Sequence, residues 1–134
     1  MGFALLDSSV LLDIFTEDPI FFLPSLTCIS EVGAFRTLAI NGVVYSEISL
    51  SYARIEDLDA AIYGTRLHLL EPPREAYFLA ARAFYAYKKR GGVKTGVLPD
   101  FFIGAHAAVL DIPLITRDPK RVRYSFPHLK IIEP

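Results

Sequence analysis

The chain has one cysteine, one methionine and no tryptophan among its 134 residues. A lone Cys28 excludes an internal disulfide, fits a reducing cytosol and reads as a small buried hydrophobe. Only three histidines occur, His68, His106 and His128. None lies at ligand spacing with the cysteine, which argues against a zinc site. Long apolar runs are missing as well. Residues 1–12 are apolar, but Asp7 interrupts them, no basic residue precedes them and Asp13 follows. The expectation is therefore neither a signal peptide nor a membrane span, and a cytoplasmic location. Net charge is scarce too: at −1 the whole molecule is no magnet for a polyanion.

What is present is apolar mass and an uneven distribution of charge. The length suits one domain, residues 1–134, with a real core. A hydrophobic fraction of 52% exceeds what a monomer this size needs, so a hydrophobic interface is expected. Residues 1–81 carry 4 basic and 11 acidic side chains, whereas residues 82–134 carry 10 basic and 4 acidic. Read as more than ordinary solvated charge, this asymmetry gives the C-terminal part a polyanion-facing side.

Short apolar runs alternate with helical patterns. Strands are expected at residues 2–6, 37–40, 67–70, 113–116 and 129–132. Ser8 or Ser9 reads as the N-cap of a helix over 10–15. A second helix can start at Pro24-Ser25, and a third, capped by Asn41, runs over 42–52. A plainer amphipathic helix covers 55–66. The longest, about 74–90, ends in Lys88-Lys89-Arg90 and then Gly91-Gly92, a basic last turn followed by a glycine stop. Its aromatics read chiefly as core or interface. The stretch LPDFFIGAHAAVLDIPLITRDP, residues 98–119, is a complete unit. Pro99 suits a first helical turn, the run 101–110 fits a buried helix, Asp111-Ile112-Pro113 ends it, and a short strand leads to Arg117-Asp118-Pro119. The alternation predicts a three-layer α/β domain with a mostly parallel central sheet and right-handed crossovers.

Four acids fall at one edge of such a sheet. Asp7 follows the first strand, Glu47 lies early in the helix after the second, Asp100 opens its helix, and Asp118 follows the strand at 113–116. Each taken alone reads as a cap, a turn former or a solvated acid. Taken together, four ionised carboxylates need a cation, and only Asp118 has basic neighbours within three residues, Arg117 among them. An all-oxygen set suits Mg²⁺ or Mn²⁺. Such ions serve phosphate chemistry by activating water and stabilising the leaving oxygen. Basic segments 88–94 and 117–123, with Lys94, Arg117, Lys120 and Arg121 as the named contacts, would then handle a phosphate backbone. No histidine sits in an acidic motif, so a metal-activated water is favoured over a 2′-OH route that needs a general base. His106 falls about 240° around the helix from Asp100 and reads as packing or interface.

The residues also carry a resemblance. Leu5-Leu6-Asp7-Ser8-Ser9-Val10-Leu11-Leu12-Asp13 resembles the opening motif of PIN-domain nucleases, and Val44-Tyr45-Ser46-Glu47-Ile48-Ser49 their second acidic motif. The segments 98–107 and Ile115-Thr116-Arg117-Asp118-Pro119 resemble the third and fourth. Order and spacing fit over essentially the whole chain, most closely to VapC-type toxins of toxin–antitoxin modules. The resemblance implies a PIN-like α/β/α fold and a metal-dependent ribonuclease, with Asp7, Glu47, Asp100 and Asp118 as catalytic metal ligands. It implies that Ser9 and Thr116 orient those carboxylates. It also implies an RNA substrate, a homodimer and a cognate antitoxin protein whose C-terminal segment covers the active-site groove. The competing readings are a PIN ribonuclease of RNA processing without an antitoxin, and a non-catalytic PIN-fold interaction module.

Overall fold

A computed structural model describes residues 2–93 and 98–134. Its centre is a five-stranded sheet: β1 Phe3–Leu6, β2 Thr37–Ile40, β3 His68–Leu69, β4 Leu114–Ile115 and β5 Ile131–Ile132. The order is β3-β2-β1-β4-β5 and every pairing is parallel. Parallel strands are covered on both faces and so read as continuous apolar runs; Ala4, Leu5, Leu6, Ala39, Ile40, Leu114 and Ile115 have no exposed surface.

Among the described residues seven α-helices connect the strands: α1 Ser8–Phe15, α2 Phe22–Gly33, α3 Gly42–Ile48, α4 Ile55–Gly64, α5 Arg74–Lys89, α6 Leu98–Leu110 and α7 Lys120–Ser125. In contact are α1 with α2 and α3, α5 and α7 with α6, and α3 with α6. The chain winds outward from β1 through β2 to β3, then jumps across to β4 and winds the other way to β5. Winding therefore reverses between β1 and β4, and α/β sheets hold ligands outside the carboxyl ends of the strands at such a point. Register makes this concrete: Leu6 stands beside Ile115, and the Asp7 N–H donates to the Ile115 carbonyl at 2.9 Å.

Several local expectations change in their details. The N-cap of α1 is Asp7, and its carboxylate makes no capping bond. Ser8 and Ser9 lie inside the first turn, where their hydroxyls serve the neighbouring acids instead. Helix α2 starts at Phe22, ahead of Pro24-Ser25. Asp18 Oδ1 accepts from the N–H groups of Ile20 and Phe21 at 2.9 Å each, which nucleates the turn earlier and holds the Asp18 carboxyl below its ordinary pKa. Helix α3 stops at Ile48, and one 3₁₀ turn, Ser49–Ser51, replaces its last turn. Asn41 caps α3 as expected, accepting from Val44 N–H at 3.0 Å. The glycine stop of α5 also holds: Gly91 takes φ 93° and Gly92 N–H reaches back to the Tyr87 carbonyl. Asp111 ends α6 in the same left-handed way, at φ 55°.

Helix α6 is wedged in place. Phe101 is buried and meets Phe84 and Tyr87 of α5 edge-on, with centroids 5.7 and 5.6 Å away. Such pairs contribute about 0.5–1.5 kcal/mol each beyond area burial, and they fix the first turn that carries Asp100. On its other side Gly104 lets α7 approach, since a Cβ there would lie 2.7 Å from the Phe126 ring. Cys28 is buried in the core, where burial pushes its thiol pKa up and leaves it unreactive. Among the described residues no helix is long and apolar enough to cross a membrane.

Candidate functional site

The carboxyl edge between β1 and β4 opens into a cleft of about 280 Å³, lined by Asp7, Ser8, Ser9, Asp100, Arg117 and Asp118 among others. Each acid arrives for a local reason. Asp7 ends β1 because α1 begins at the next residue. Two hydroxyls then grip its Oδ2: Thr116 Oγ1 donates at 2.7 Å and Ser9 Oγ at 3.1 Å. Both hydroxyls also accept from backbone, Thr116 from the Asp118 N–H at 3.1 Å and Ser9 from the Arg117 N–H at 3.3 Å. One carboxylate oxygen is thus tied to both sides of the β1/β4 junction. The other, Oδ1, has only the Ser8 hydroxyl among the described residues, 3.4 Å away.

Glu47 comes from α3 and reaches the same place through Ser8, whose Oγ donates to Oε1 at 2.9 Å. Burial raises the Glu47 pKa; the Ser8 hydrogen bond opposes this, while the charges of Asp7 and Asp100 add to it. Asp100 is likewise raised by burial and by the charge of Asp7, with Arg121 opposing and Asp118 adding. Asp7, Asp100 and Asp118 line the cleft themselves, and Glu47 is joined to it through the Ser8 hydroxyl.

The donor set fits a divalent cation in its chemistry. It is all oxygen and partly desolvated, and burial raises the pKa of two of its members, Glu47 and Asp100. Asp7, Asp100, Glu47 and Asp118 are the residues that could hold one. As the side chains stand, no group of three or more His, Cys, Asp or Glu among the described residues closes around a common point. Two of the acids are engaged by other side chains. Ser8 holds Glu47, and Arg121 Nη1 stands 2.5 Å from Asp100 Oδ2. Arg121 is a cation that the linear sequence did not place beside Asp100, because it comes from α7, twenty-one residues on.

Of the expected phosphate contacts, Lys120 is exposed on α7 and Arg121 is on Asp100; Lys94 lies outside the described residues. Arg117 does something the sequence did not reveal. Its Nε and Nη2 donate to the two oxygens of Asp13 at 2.9 and 3.0 Å, and its guanidinium lies 4.2 Å over the Phe21 ring. Asp13 is 2% exposed and also accepts from the buried Ser25 hydroxyl at 2.8 Å. The available signal was a lone acid on the apolar stripe of α1, three residues after Val10. His106 is buried, with Nδ1 3.1 Å from the Asn41 amide nitrogen, so it packs α6 against α3 within the chain. Burial lowers its pKa, which leaves the ring neutral at pH 7.

Comparison with known proteins agrees with this architecture. No curated protein sequence matches significantly. Among solved structures, VapBC-1 from nontypeable Haemophilus influenzae superposes with a TM-score of 0.73 at 19% identity, covering 98% of this chain and 97% of that one. VapBC2 from Rickettsia felis, bound to a DNA fragment from its promoter, gives 0.72 at 17%, covering 98% of each chain. VapBC-5 from Mycobacterium tuberculosis gives 0.59 at 20%, again covering 98% of each. At such identities the likeness is one of fold. The sequence model of the PIN domain, however, matches residues 4–127, from β1 through α7 and across all four acids, and by that match the chain belongs to the PIN-domain family.

Proposed function

We propose that this protein is a metal-dependent endoribonuclease and the toxin of a VapBC-type toxin–antitoxin pair. The observation that carries the reading is that Asp7, Asp100 and Asp118 line one cleft, with Glu47 joined to it through Ser8 and Asp7 held by Ser9 and Thr116. Mg²⁺ or Mn²⁺ bound there supplies an activated water and charge stabilisation for phosphodiester hydrolysis. The chain's own residues do the rest. Ser9 and Thr116 fix the orientation of Asp7, Ser8 fixes Glu47, and Arg121 and Lys120 offer positive charge to the phosphate beside Asp100 and Asp118. His68 and His128 are exposed and absent from the cleft lining, and His106 is buried. None stands where a base for the 2′-OH would be needed, which supports attack by water.

The solved structures of similar fold are toxin–antitoxin complexes, which supports an antitoxin as partner. Exposed Ile20, Leu23 and Leu50 leave apolar surface for a homodimer or that partner. The Arg121–Asp100 pair favours a second reading, a PIN-fold interaction module in which Arg121 takes the cation's place. Incubating RNA with the purified chain separates the two. Wild type is expected to cleave with Mg²⁺ or Mn²⁺ and not in EDTA, and Asp100→Asn is expected to be inactive with either ion. An inert wild type would favour the module. A small acidic antitoxin reading frame directly upstream would favour the toxin over an RNA-processing nuclease.

A further inference from the structure

Beside the acidic cleft lies a second groove, of about 550 Å³, lined by Tyr87, Arg90, Asp118, Lys120, Arg121 and Tyr124. It shares Asp118 with the cleft, and Arg121 reaches from it to Asp100. The two depressions are therefore one continuous path. Their charge changes sign along it: carboxylates dominate the cleft, whereas three cations and one acid line the groove. Aromatic and cationic groups interleave in the groove. Arg90 stands 4.1 Å over the Tyr124 ring and 5.4 Å from the Tyr87 ring, and Arg121 is 5.9 Å from Tyr87. Tyr87 is a fixed wall: its ring is 9% exposed and packs on Phe101. Gly92 lies so close to it that a Cβ there would collide. Tyr124 is different, for its ring is 68% exposed on the short helix α7. A large, mostly exposed aromatic beside Arg90 in a cation-lined groove next to the acidic cleft is a stacking platform, the arrangement that single-stranded nucleic acid uses.

We infer that this groove binds one unpaired nucleotide of a single-stranded RNA, its base stacked on Tyr124 and its flanking phosphates on Arg90 and Lys120. The inference rests on the RNA reading of the acidic cleft and adds a selectivity to it. A base can reach Tyr124 face-on only if it is unstacked from a duplex. The positive lining suits a polyanion rather than an acid-poor or apolar protein segment. With the phosphate after that base drawn toward Arg121, the subsite sets which bond enters the cleft. Tyr124 is in this sense a specificity-determining residue rather than a catalytic one.

The test is fluorescence anisotropy of a labelled, mixed-sequence 12-nucleotide RNA against the full chain in EDTA, where no metal-dependent cleavage intervenes. Tyr124→Ala is expected to weaken single-strand binding roughly 5- to 150-fold, the range for one stacked base, and to leave the salt dependence unchanged. Tyr124→Phe keeps the ring and is expected to bind as wild type does. Lys120→Ala is expected to reduce the slope of log affinity against log salt by about 0.7. Binding of the same sequence as a duplex is expected to ignore Tyr124→Ala. Wild-type affinity in Tyr124→Ala overturns the inference, as does a loss shared equally by duplex and single strand, or a Tyr124→Phe variant as weak as the alanine. If Tyr124→Ala instead loses a protein partner and retains RNA, the groove is a protein surface and the inference fails. Cleavage with Mn²⁺ separates the two levels: a wild type that neither binds nor cuts RNA sinks the ribonuclease reading itself. A wild type that cuts, with Tyr124→Ala unchanged in both affinity and KM, sinks only the subsite.

Discussion

Replacing Arg117 by methionine distinguishes a clamp from a substrate contact. Arg117 was expected from the sequence to meet phosphate, yet its guanidinium is engaged bidentately by Asp13. Asp13 is 2% exposed, so after Arg117→Met it is left as a buried carboxylate with only the Ser25 hydroxyl. Orphaning a buried charge costs about 3–5 kcal/mol. The Arg117 side chain is 36% exposed, so water reaches Asp13 from that side once the arginine is gone, and the cost falls to about 2–3 kcal/mol. For 134 residues that is roughly a 7–11 °C drop in Tm. Thermal unfolding by circular dichroism reads it directly. The double variant Asp13→Leu/Arg117→Met removes both charges, and its cost is expected to fall short of the sum of the single costs by about 1 kcal/mol or more. If Arg117→Met unfolds like wild type while RNA affinity and its salt slope fall, the clamp reasoning is refuted and Arg117 is a phosphate contact.

Three further outcomes are expected. Glu47→Gln keeps an acceptor for the Ser8 hydroxyl but removes a carboxylate whose pKa is raised by burial and by Asp7 and Asp100. In the wild type, ionised Glu47 is penalised in the fold; that penalty is absent below its unfolded pKa and fully present once pH has risen through its folded pKa. In EDTA the variant should therefore be the more stable protein at pH 7, with its advantage over wild type shrinking as pH falls, in denaturant titrations run at several pH values. Gly104→Ala gains helix propensity but pushes a Cβ to 2.7 Å from the buried Phe126 ring, so overpacking should give a net loss of about 1–3 kcal/mol in urea unfolding; a stabilised variant would mean that α7 moves away freely. Cleavage products should carry a 3′-hydroxyl and a 5′-phosphate by mass spectrometry, and a cyclic 2′,3′-phosphate would contradict attack by water.

Much of this architecture was legible because parallel α/β folds write themselves locally. The buried runs 3–6, 37–40 and 113–116 contain no charge, and each is followed at once by a polar residue, Asp7, Asn41 or Arg117. Asn41 announced its cap, and Gly91 its stop. Boundaries slipped where a side chain competed with the expected signal: Asp18 started α2 early, and the hydroxyls of Ser8 and Ser9 turned to the acids instead of capping. The four acids were visible as a set because Asp7 and Asp118 follow strands, Asp100 opens a helix and Glu47 lies on the helix after β2; that helix is shorter than expected, so Glu47 falls in its last turn. Their partners were not, since Arg121 meets Asp100 and Arg117 meets Asp13 across 21 and 104 positions of sequence. Aromatic residues of α5 divided in a way that periodicity alone could not decide: Phe84 and Tyr87 turn in to Phe101, while Phe78 and Tyr85 stay exposed under Arg82 and Lys89.

The claim on which the account turns is that Asp7, Glu47, Asp100 and Asp118 hold a divalent ion once Arg121 yields Asp100 to it. Titration of Mn²⁺ into the purified chain, followed by electron paramagnetic resonance, measures this without reference to any substrate. Saturable binding by wild type, weakened at least tenfold in Asp100→Asn and in Asp7→Asn, is the predicted result. Wild type that binds no Mn²⁺, or binding that both substitutions leave untouched, would contradict it.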